Sequence, residues 1–413
     1  MANLEVRAGR LLDGSGGPAI ADAAVQVSGE LLTYAGPAAT APPAPAGTAL
    51  VDLGPDVTLL PGLIDCHAHP LPHADLPELG PEHARDGVRL LYAVHVLAGA
   101  LVKGMTTFRD CGAPRMTAFA LKTAVDAGLV PGPRLRVAGH IICPTGGHGY
   151  SQGGEVDGAD GVRQAARQLF KQGADFIKIT ATGGGTVPGP PRHRATFTVA
   201  EIAAAVEVAE QHDSYVTAHC HSTEGIVRCL DAGVPMLEHA TFVGPDGREH
   251  LDRAVLTRIS DQGVTVCPTV AVHGRWLDEV AGQPDDADRA VWSRRADSFA
   301  RRLDLVAELH AAGVPVLIGS DGGFGRSYPA ALDDLAYSVA LHVRAGVPAA
   351  DAIVSATSLA ADKIGMGDLV GRLAPGLQAD VLAVTGDPLA EIEALERVRL
   401  VLQRGEVVAG TAG

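Results

Sequence analysis

The residues able to do metal or acid–base chemistry are not spread evenly along this chain. Several of its 16 histidines stand at the ends of short apolar runs. His67 and His69 follow Pro61-Gly62-Leu63-Ile64-Asp65-Cys66. His219 and His221 close the run Tyr215 to His221, His239 closes Met236 to His239, and Asp321 closes Val314 to Asp321. In an extended strand, residues two apart share a face. His67 and His69 can therefore reach one cation, and His219 and His221 pair likewise, with Cys220 turned away. Each has a plainer reading taken alone: loop imidazoles before Pro70, hydrogen-bonded core histidines, or, for Asp321, the N-cap of a following helix. As a set they read as metal ligands. Mixed imidazole and carboxylate ligation suits zinc, and manganese or iron less often. Asp321 can also take a proton from a water and serve as a catalytic base. Alternation places Glu238 outward, in a structural role.

Lys178 stands inside the run Phe176-Ile177-Lys178-Ile179-Thr180. Burying an ammonium is costly. Such a lysine either snorkels out toward the rim or sheds its charge. A neutral amine can take up carbon dioxide to form a carbamate, whose two oxygens can bridge two metals. Two loops add further polar groups. Pro144-Thr145-Gly146-Gly147-His148-Gly149-Tyr150-Ser151 offers His148 and Tyr150, to polarise a carbonyl or hold a carboxylate. Gly183-Gly184-Gly185-Thr186 leads to Arg192-His193-Arg194. The glycines resemble a phosphate cradle, but no GK[ST] follows, which rejects a nucleotide site. A lid carrying the cationic anchors Arg192 and Arg194 is the more physical reading, against simple connecting loops.

The elements that must position these groups alternate regularly. Eight strand-length apolar runs are Leu59 to Asp65, Gly104 to Asp110, Leu135 to Ile142, Phe176 to Thr180, Tyr215 to His221, Met236 to His239, Val264 to Val270 and Val314 to Asp321. Helix-length amphipathic stretches lie between them, such as Ala84 to Lys103, Val162 to Lys171, Val199 to Gln211 and Asp288 to Ala312. Eight βα units predict an α/β fold with a (β/α)8 TIM barrel, whose strand C-termini converge on one mouth. A doubly wound open sheet is the alternative. Both chain ends show short runs between Gly- and Asp-rich turns, as in Asp13-Gly14-Ser15-Gly16-Gly17. They predict a small β-sandwich built from residues 1–60 and 366–413, flanking a barrel over residues 61–365. Ala41 to Ala46 reads as a linker.

Composition bounds the partners. The chain has 413 residues, 46% of them hydrophobic and 20% charged, which excludes intrinsic disorder. Its net charge of −15 argues against a nucleic-acid surface. No run reaches the roughly 18 apolar residues of a membrane span, and Met1 to Ser15 lacks the pattern of a signal peptide. Six scattered cysteines without CxxC spacing point to reduced thiols and a cytoplasmic location. The expected partner is a small-molecule substrate, with no nucleic acid and no membrane. A homo-oligomer is compatible with all of this.

Taken in order, these segments resemble the amidohydrolase superfamily, in its imidazolonepropionase-like and Xaa-Pro-dipeptidase (prolidase)-like branch. The resemblance runs through Pro61 to Asp65, His67-Ala68-His69, Gly104-Met105-Thr106-Thr107, Phe176-Ile177-Lys178, Ala218-His219, Leu237-Glu238-His239, Gly319-Ser320-Asp321, Gly371-Arg372-Leu373-Ala374-Pro375-Gly376 and Ala379-Asp380. It implies a barrel decorated by the terminal β-sandwich, with two divalent ions, usually zinc, at the mouth. His67, His69 and Asp321 would hold the more buried ion, His219 and His239 the other, with N6-carboxylated Lys178 bridging. Two departures stand out. Dipeptide-cleaving relatives often carry a tyrosine two residues after the fifth-strand histidine, where this chain has His221. Imidazolonepropionases use one metal and lack the bridging lysine.

The expected function is hydrolysis of an amide bond in a dipeptide or N-acyl amino acid. Paired divalent cations lower the pKa of a water toward neutrality. His148 helps polarise the carbonyl, and Asp321 takes a proton and returns it to the leaving amine. His148, Tyr150, His221, Arg192 and Arg194 are the candidate substrate contacts. Hydrolysis of a cyclic amide, lactone or carbamate is the alternative. A non-catalytic relative that keeps the fold for binding is the remaining class.

Overall fold

The computed structural model describes residues 3–71, 86–185, 188–274, 277, 289–323, 332 and 334–410. Ala84, Thr186 and Asp288, named above, lie outside them. The two chain ends share one eight-stranded sheet. It comprises β1 (Asn3–Leu11), β2 (Ile20–Ser28), β3 (Leu31–Pro37), β4 (Ala49–Asp52) and β5 (Val57–Pro61) from the N-terminal side, then β13 (Val381–Thr385), β14 (Val398–Gln403) and β15 (Glu406–Ala409). Its order is β15-β14-β13-β5-β1-β2-β3, with β4 on β1. The join is the antiparallel β5–β13 pair, with Leu60 opposite Leu382. Alternation puts Leu4, Val6, Val25, Val27, Val381 and Leu402 into a core of their own.

Two parallel sheets position the polar groups. One contains β6 (Leu63–Ala68), β7 (Met105–Asp110) and β8 (Arg134–Val137). The other contains β9 (Ile177–Thr180), β10 (Val216–Ser222), β11 (Met236–Val243) and β12 (Thr265–Cys267). Single bridges link them, Ile142 to Ile179 on one side, and Val266 to Val316 and Ala68 to Gly322 on the other.

The expected run Leu59 to Asp65 is divided between two sheets. Gly62 marks the division: a Cβ there would sit 2.2 Å from Thr106 Oγ1, so only glycine lets the chain cross at that point. The expected run Val314 to Asp321 forms no named strand. Its Leu317 N–H donates to Val266 O, and Cys66 N–H donates to Ile318 O. Beyond these, Ser320 N–H turns to the Asp65 carboxylate, and Asp321 adopts a left-handed φ of 51°. Backbone donors spent on a side chain cannot extend a ladder.

The helices are α1 (Asp86–Val102), α2 (Thr117–Asp126), α3 (Gly158–Gln172), α4 (Val199–Glu210), α5 (Thr223–Asp231), α6 (Arg253–Asp261), α7 (Arg289–Ala311), α8 (Leu335–Arg344), α9 (Ala349–Ser355) and α10 (Ser358–Lys363). In α3, Val162, Ala166 and Leu169 recur at helical spacing and are the buried face. Thr198 and Glu201 form a reciprocal capping box that starts α4. Apolar residues from the helices and the strands merge into one core cluster.

Candidate metal centre and active site

The strand ends converge on one cavity. His67, His69, Lys178, His219, His239 and Asp321 all line it, as do His148, His221 and Arg192. Residues up to 254 positions apart thus share one wall, because parallel strands end together at one side.

Asp321 Oδ1 lies 3.4 Å from His67 Nε2 and 3.6 Å from His69 Nε2. His239 Nε2 lies 2.9 Å from His219 Nδ1. Among the cavity's residues, two groups place their ligand atoms within 4.8 Å of one another: His67, His239 and Asp321, and then His219, His221 and His239; a third, His67, Glu238 and Cys267, lies beneath. His239 belongs to both of the first two, so those groups adjoin. The outward-facing ring nitrogens are engaged. His69 Nδ1 lies 3.0 Å from Gly112 O, His239 Nδ1 lies 2.7 Å from Thr269 Oγ1, and His221 Nδ1 lies 2.8 Å from Thr241 Oγ1. Such partners orient an imidazole and leave its other nitrogen for a metal.

Strand ends here leave regular β geometry. His239, Thr269 and Asp321 have φ values of 68°, 49° and 51°. Met236 and Glu238 share the inward face of β11 while Leu237 packs in the outer core, so regular alternation already points Glu238 inward. His239 would then face outward, and its left-handed backbone turns it into the cavity. Glu238, expected to point outward, is instead fully buried beneath the site. It accepts from His67 Nδ1 at 2.6 Å, from Arg109 Nη2 at 2.5 Å and from the Thr217 hydroxyl.

Lys178 also faces inward. Ile177 and Ile179 on either side pack into the outer core, while Lys178 is 1% exposed. Its Nζ makes no hydrogen bond among the described residues. An orphaned amine amid imidazoles and a carboxylate is unusual in a folded interior. The donor set around it, imidazole nitrogens with one carboxylate, fits zinc.

Electrostatics favour neutral, lone-pair-bearing imidazoles. Burial first, and then the neighbouring His148 and His239, hold His219 well below the ordinary histidine range. Burial likewise depresses His239, aided by His221 and His67. It depresses His221 too, aided by Arg192. Burial raises Asp321, with His67 and Lys178 opposing the shift. His148 is pushed down to about 4 by burial, then by Lys178 and Arg192. Its ring stacks near His219, with centroids 4.4 Å apart. Gly184 packs against it so closely that a Cβ would lie 2.3 Å from His148 Nδ1.

Of the loop anchors, Arg192 is half-buried and lines the cavity. Arg194 and Tyr150 are exposed and lie outside its lining. Sequence reasoning missed Arg302, a buried residue of α7 that reaches the cavity, where its Nη1 lies 3.4 Å from Thr269 O. Nothing in its type distinguishes it from Arg301 beside it. It also missed Asp65, which accepts from His67 N–H, Ser320 N–H and the Ser320 hydroxyl and so ties β6 to the Asp321 segment. The signal for Asp65 was an acid inside an otherwise apolar run.

The amidohydrolase family pattern matches residues 58–408. The chain is 27% identical to the ochratoxinase of Aspergillus niger over 431 aligned positions, covering 96% of this chain and 84% of that protein. It is 27% identical to the imidazolonepropionase of Cereibacter sphaeroides over 401 positions, 94% of each protein. The crystal structure of a Xaa-Pro dipeptidase with methionine bound in its active site superposes with a TM-score of 0.85 at 27% identity, over 98% of this chain and 99% of that one. A match across most of the chain, enclosing every residue of the cavity described above, leads to one conclusion: this protein belongs to the amidohydrolase family.

Proposed function

We propose that this protein is a binuclear, zinc-dependent hydrolase that cleaves the amide bond of a dipeptide or N-acyl amino acid. The observation that carries this reading is the unpartnered Lys178 amine, buried among six imidazoles and Asp321. Similarity to a Xaa-Pro dipeptidase supports a peptide-like substrate. His67, His69 and Asp321 would hold one ion, His219 and His239 the other, and Lys178, N6-carboxylated, would bridge them. When bound, the ions activate a water and polarise a carbonyl.

The remaining chemistry belongs to side chains. Asp321, raised by burial, accepts the proton lost by the attacking water and delivers it to the leaving amine. His148 stays neutral at working pH, and a ring N–H donates to the substrate carbonyl oxygen. Arg192 holds the substrate carboxylate as a charge-assisted pair. His221 contributes from the wall, and Tyr150 and Arg194 from the outer rim. Architecturally, we read the eight parallel runs and their bridges as a (β/α)8 barrel over residues 61–365. Residues 1–60 and 366–413 form the β-sandwich, for which the shared terminal sheet is the support. All six cysteines are unbonded and buried, which supports a reducing compartment such as the cytoplasm. Among the described residues no helix is long and apolar enough to cross a membrane.

The test is metal analysis of the purified chain alongside a substrate panel. Two equivalents of zinc, loss of turnover on chelation, and activity on N-acyl amino acids or Xaa-Pro, Xaa-Arg or Xaa-hydrophobic dipeptides are expected. Turnover restricted to lactones, cyclic amides or carbamates would replace the substrate assignment. A chain that takes up no metal on reconstitution would refute the hydrolase reading.

A further inference from the structure

We infer that Glu238 and Arg109 are a positioning pair that fixes the ring of His67 and thereby sets the cavity's affinity for one of its two cations. This rests on the metal-dependent reading above. The geometry is specific. His67 Nδ1 lies 2.6 Å from Glu238 Oε2, while His67 Nε2 lies 3.4 Å from Asp321 Oδ1. The two ring nitrogens therefore face opposite partners. An ionised carboxylate only accepts, so Nδ1 carries a proton, and in the neutral ring that a cation would take the lone pair is on Nε2, aimed at the cavity. Reversing the tautomer would aim an N–H at the cation.

Arg109 holds this arrangement from below. Its Nη2 donates to Glu238 Oε1 at 2.5 Å, and its Nε donates to the carbonyl of Cys66, the residue before His67. One rigid guanidinium therefore grips both the backbone leading into His67 and the acid that orients its side chain. Thr217 donates to the same Glu238 oxygen as Arg109 does. All three side chains are fully buried, so no solvent exchange can substitute for these bonds. Packing confines the ring as well: a Cβ on Gly319 would lie 2.6 Å from His67 Cβ.

A structural ion pair joining β7 to β11 would explain the contact without any role in metal binding. The two roles differ in what they predict for folded protein. The full chain is stripped with chelator and titrated with Zn2+, its fold followed by circular dichroism. Glu238→Gln is expected to weaken one of two cations by about 10–100-fold and leave the other unchanged. Because that variant strands the Arg109 charge, the double variant Arg109→Met/Glu238→Gln is titrated beside it. Positioning predicts that the double variant stays weak for one cation. Wild-type affinity for both cations in a folded single or double variant overturns the inference. The wild-type chain supplies a second readout: the 15N signals of the His67 ring in metal-free protein must show a proton on Nδ1, and a ring protonated on Nε2 alone also overturns the inference. If the wild-type chain binds no Zn2+ at all, the metal-dependent reading falls, an outcome distinct from wild-type-like variants.

Discussion

Arg109 and Glu238 are both 0% exposed and meet at 2.5 Å. Burial opposes charge on Glu238, yet Arg109 and then His67 hold its carboxyl well below the usual carboxylate range. Burial alone would lower Arg109, and Glu238 reverses that, holding the guanidinium well above its ordinary value. The pair is therefore charged, and each member depends on the other. Glu238→Leu leaves a buried guanidinium without its counter-ion, at a cost of about 3–5 kcal/mol. Arg109→Met leaves a buried carboxylate, with a cost of the same order. The double variant Arg109→Met/Glu238→Leu contains neither charge. It still leaves the His67 Nδ1 without a partner, the Thr217 hydroxyl with only its 3.4 Å bond to Met236 O, and the Cys66 carbonyl with only the Cys111 thiol, at roughly 1 kcal/mol each. The double variant should thus lose about 3 kcal/mol, less than the sum of the singles by about 3 kcal/mol or more. Urea unfolding of chelator-treated protein, followed by circular dichroism, measures this, provided the variants share one m-value. Additive losses in the double variant would refute the claim that the two charges compensate each other.

Three further outcomes follow from the same geometry. His342 of α8 is buried, which lowers it to about 4 against the Ser338 carbonyl that favours its charged form. Between about pH 4 and 6.5 the unfolded chain therefore binds more protons than the folded one. Stability contributed by neutral His342 is present above pH 6.5 and lost as pH falls, by about 2 kcal/mol between pH 7 and 5. His342→Leu should flatten that part of the acid slope in denaturant titrations, and an unchanged slope would contradict this. Asp321→Asn should lower kcat by about 10²–10⁴-fold, and a variant keeping a tenth or more of wild-type turnover would remove Asp321 from proton transfer. Arg192→Ala should raise KM by about tenfold or more with kcat little changed, since it binds ground and transition states alike. A fall in kcat at constant KM would place Arg192 in the chemical step instead.

Several elements were legible from residue order alone. Strand-length apolar runs that end in His221, His239 and Asp321, or lead directly into His67 and His69, mark where polar groups accumulate, because burying such groups without purpose is unfavourable. The amphipathic stretch Val199 to Gln211 coincides with α4 to within one residue, because a periodic apolar face must be buried along its whole length. The family resemblance was also legible, from ordered motifs spread along the chain, and the match over residues 58–408 agrees with it.

What period-2 reasoning could not supply was the conformation of single residues. A left-handed φ of 68° at His239 admits both Glu238 and His239 to the interior, and alternation allows only one of them. Nor does sequence separation show that Arg109, on β7, meets Glu238, 129 positions later. The exposure of Arg194 and Tyr150 and the inward reach of Arg302 were equally hidden, because direction of approach depends on how loops and α7 pack over the cavity. Local order thus determined which residue types could do chemistry and roughly which elements hold them. Only the tertiary arrangement decided which of them face each other, since long-range contacts are set by packing across the whole core and not by neighbours in the chain.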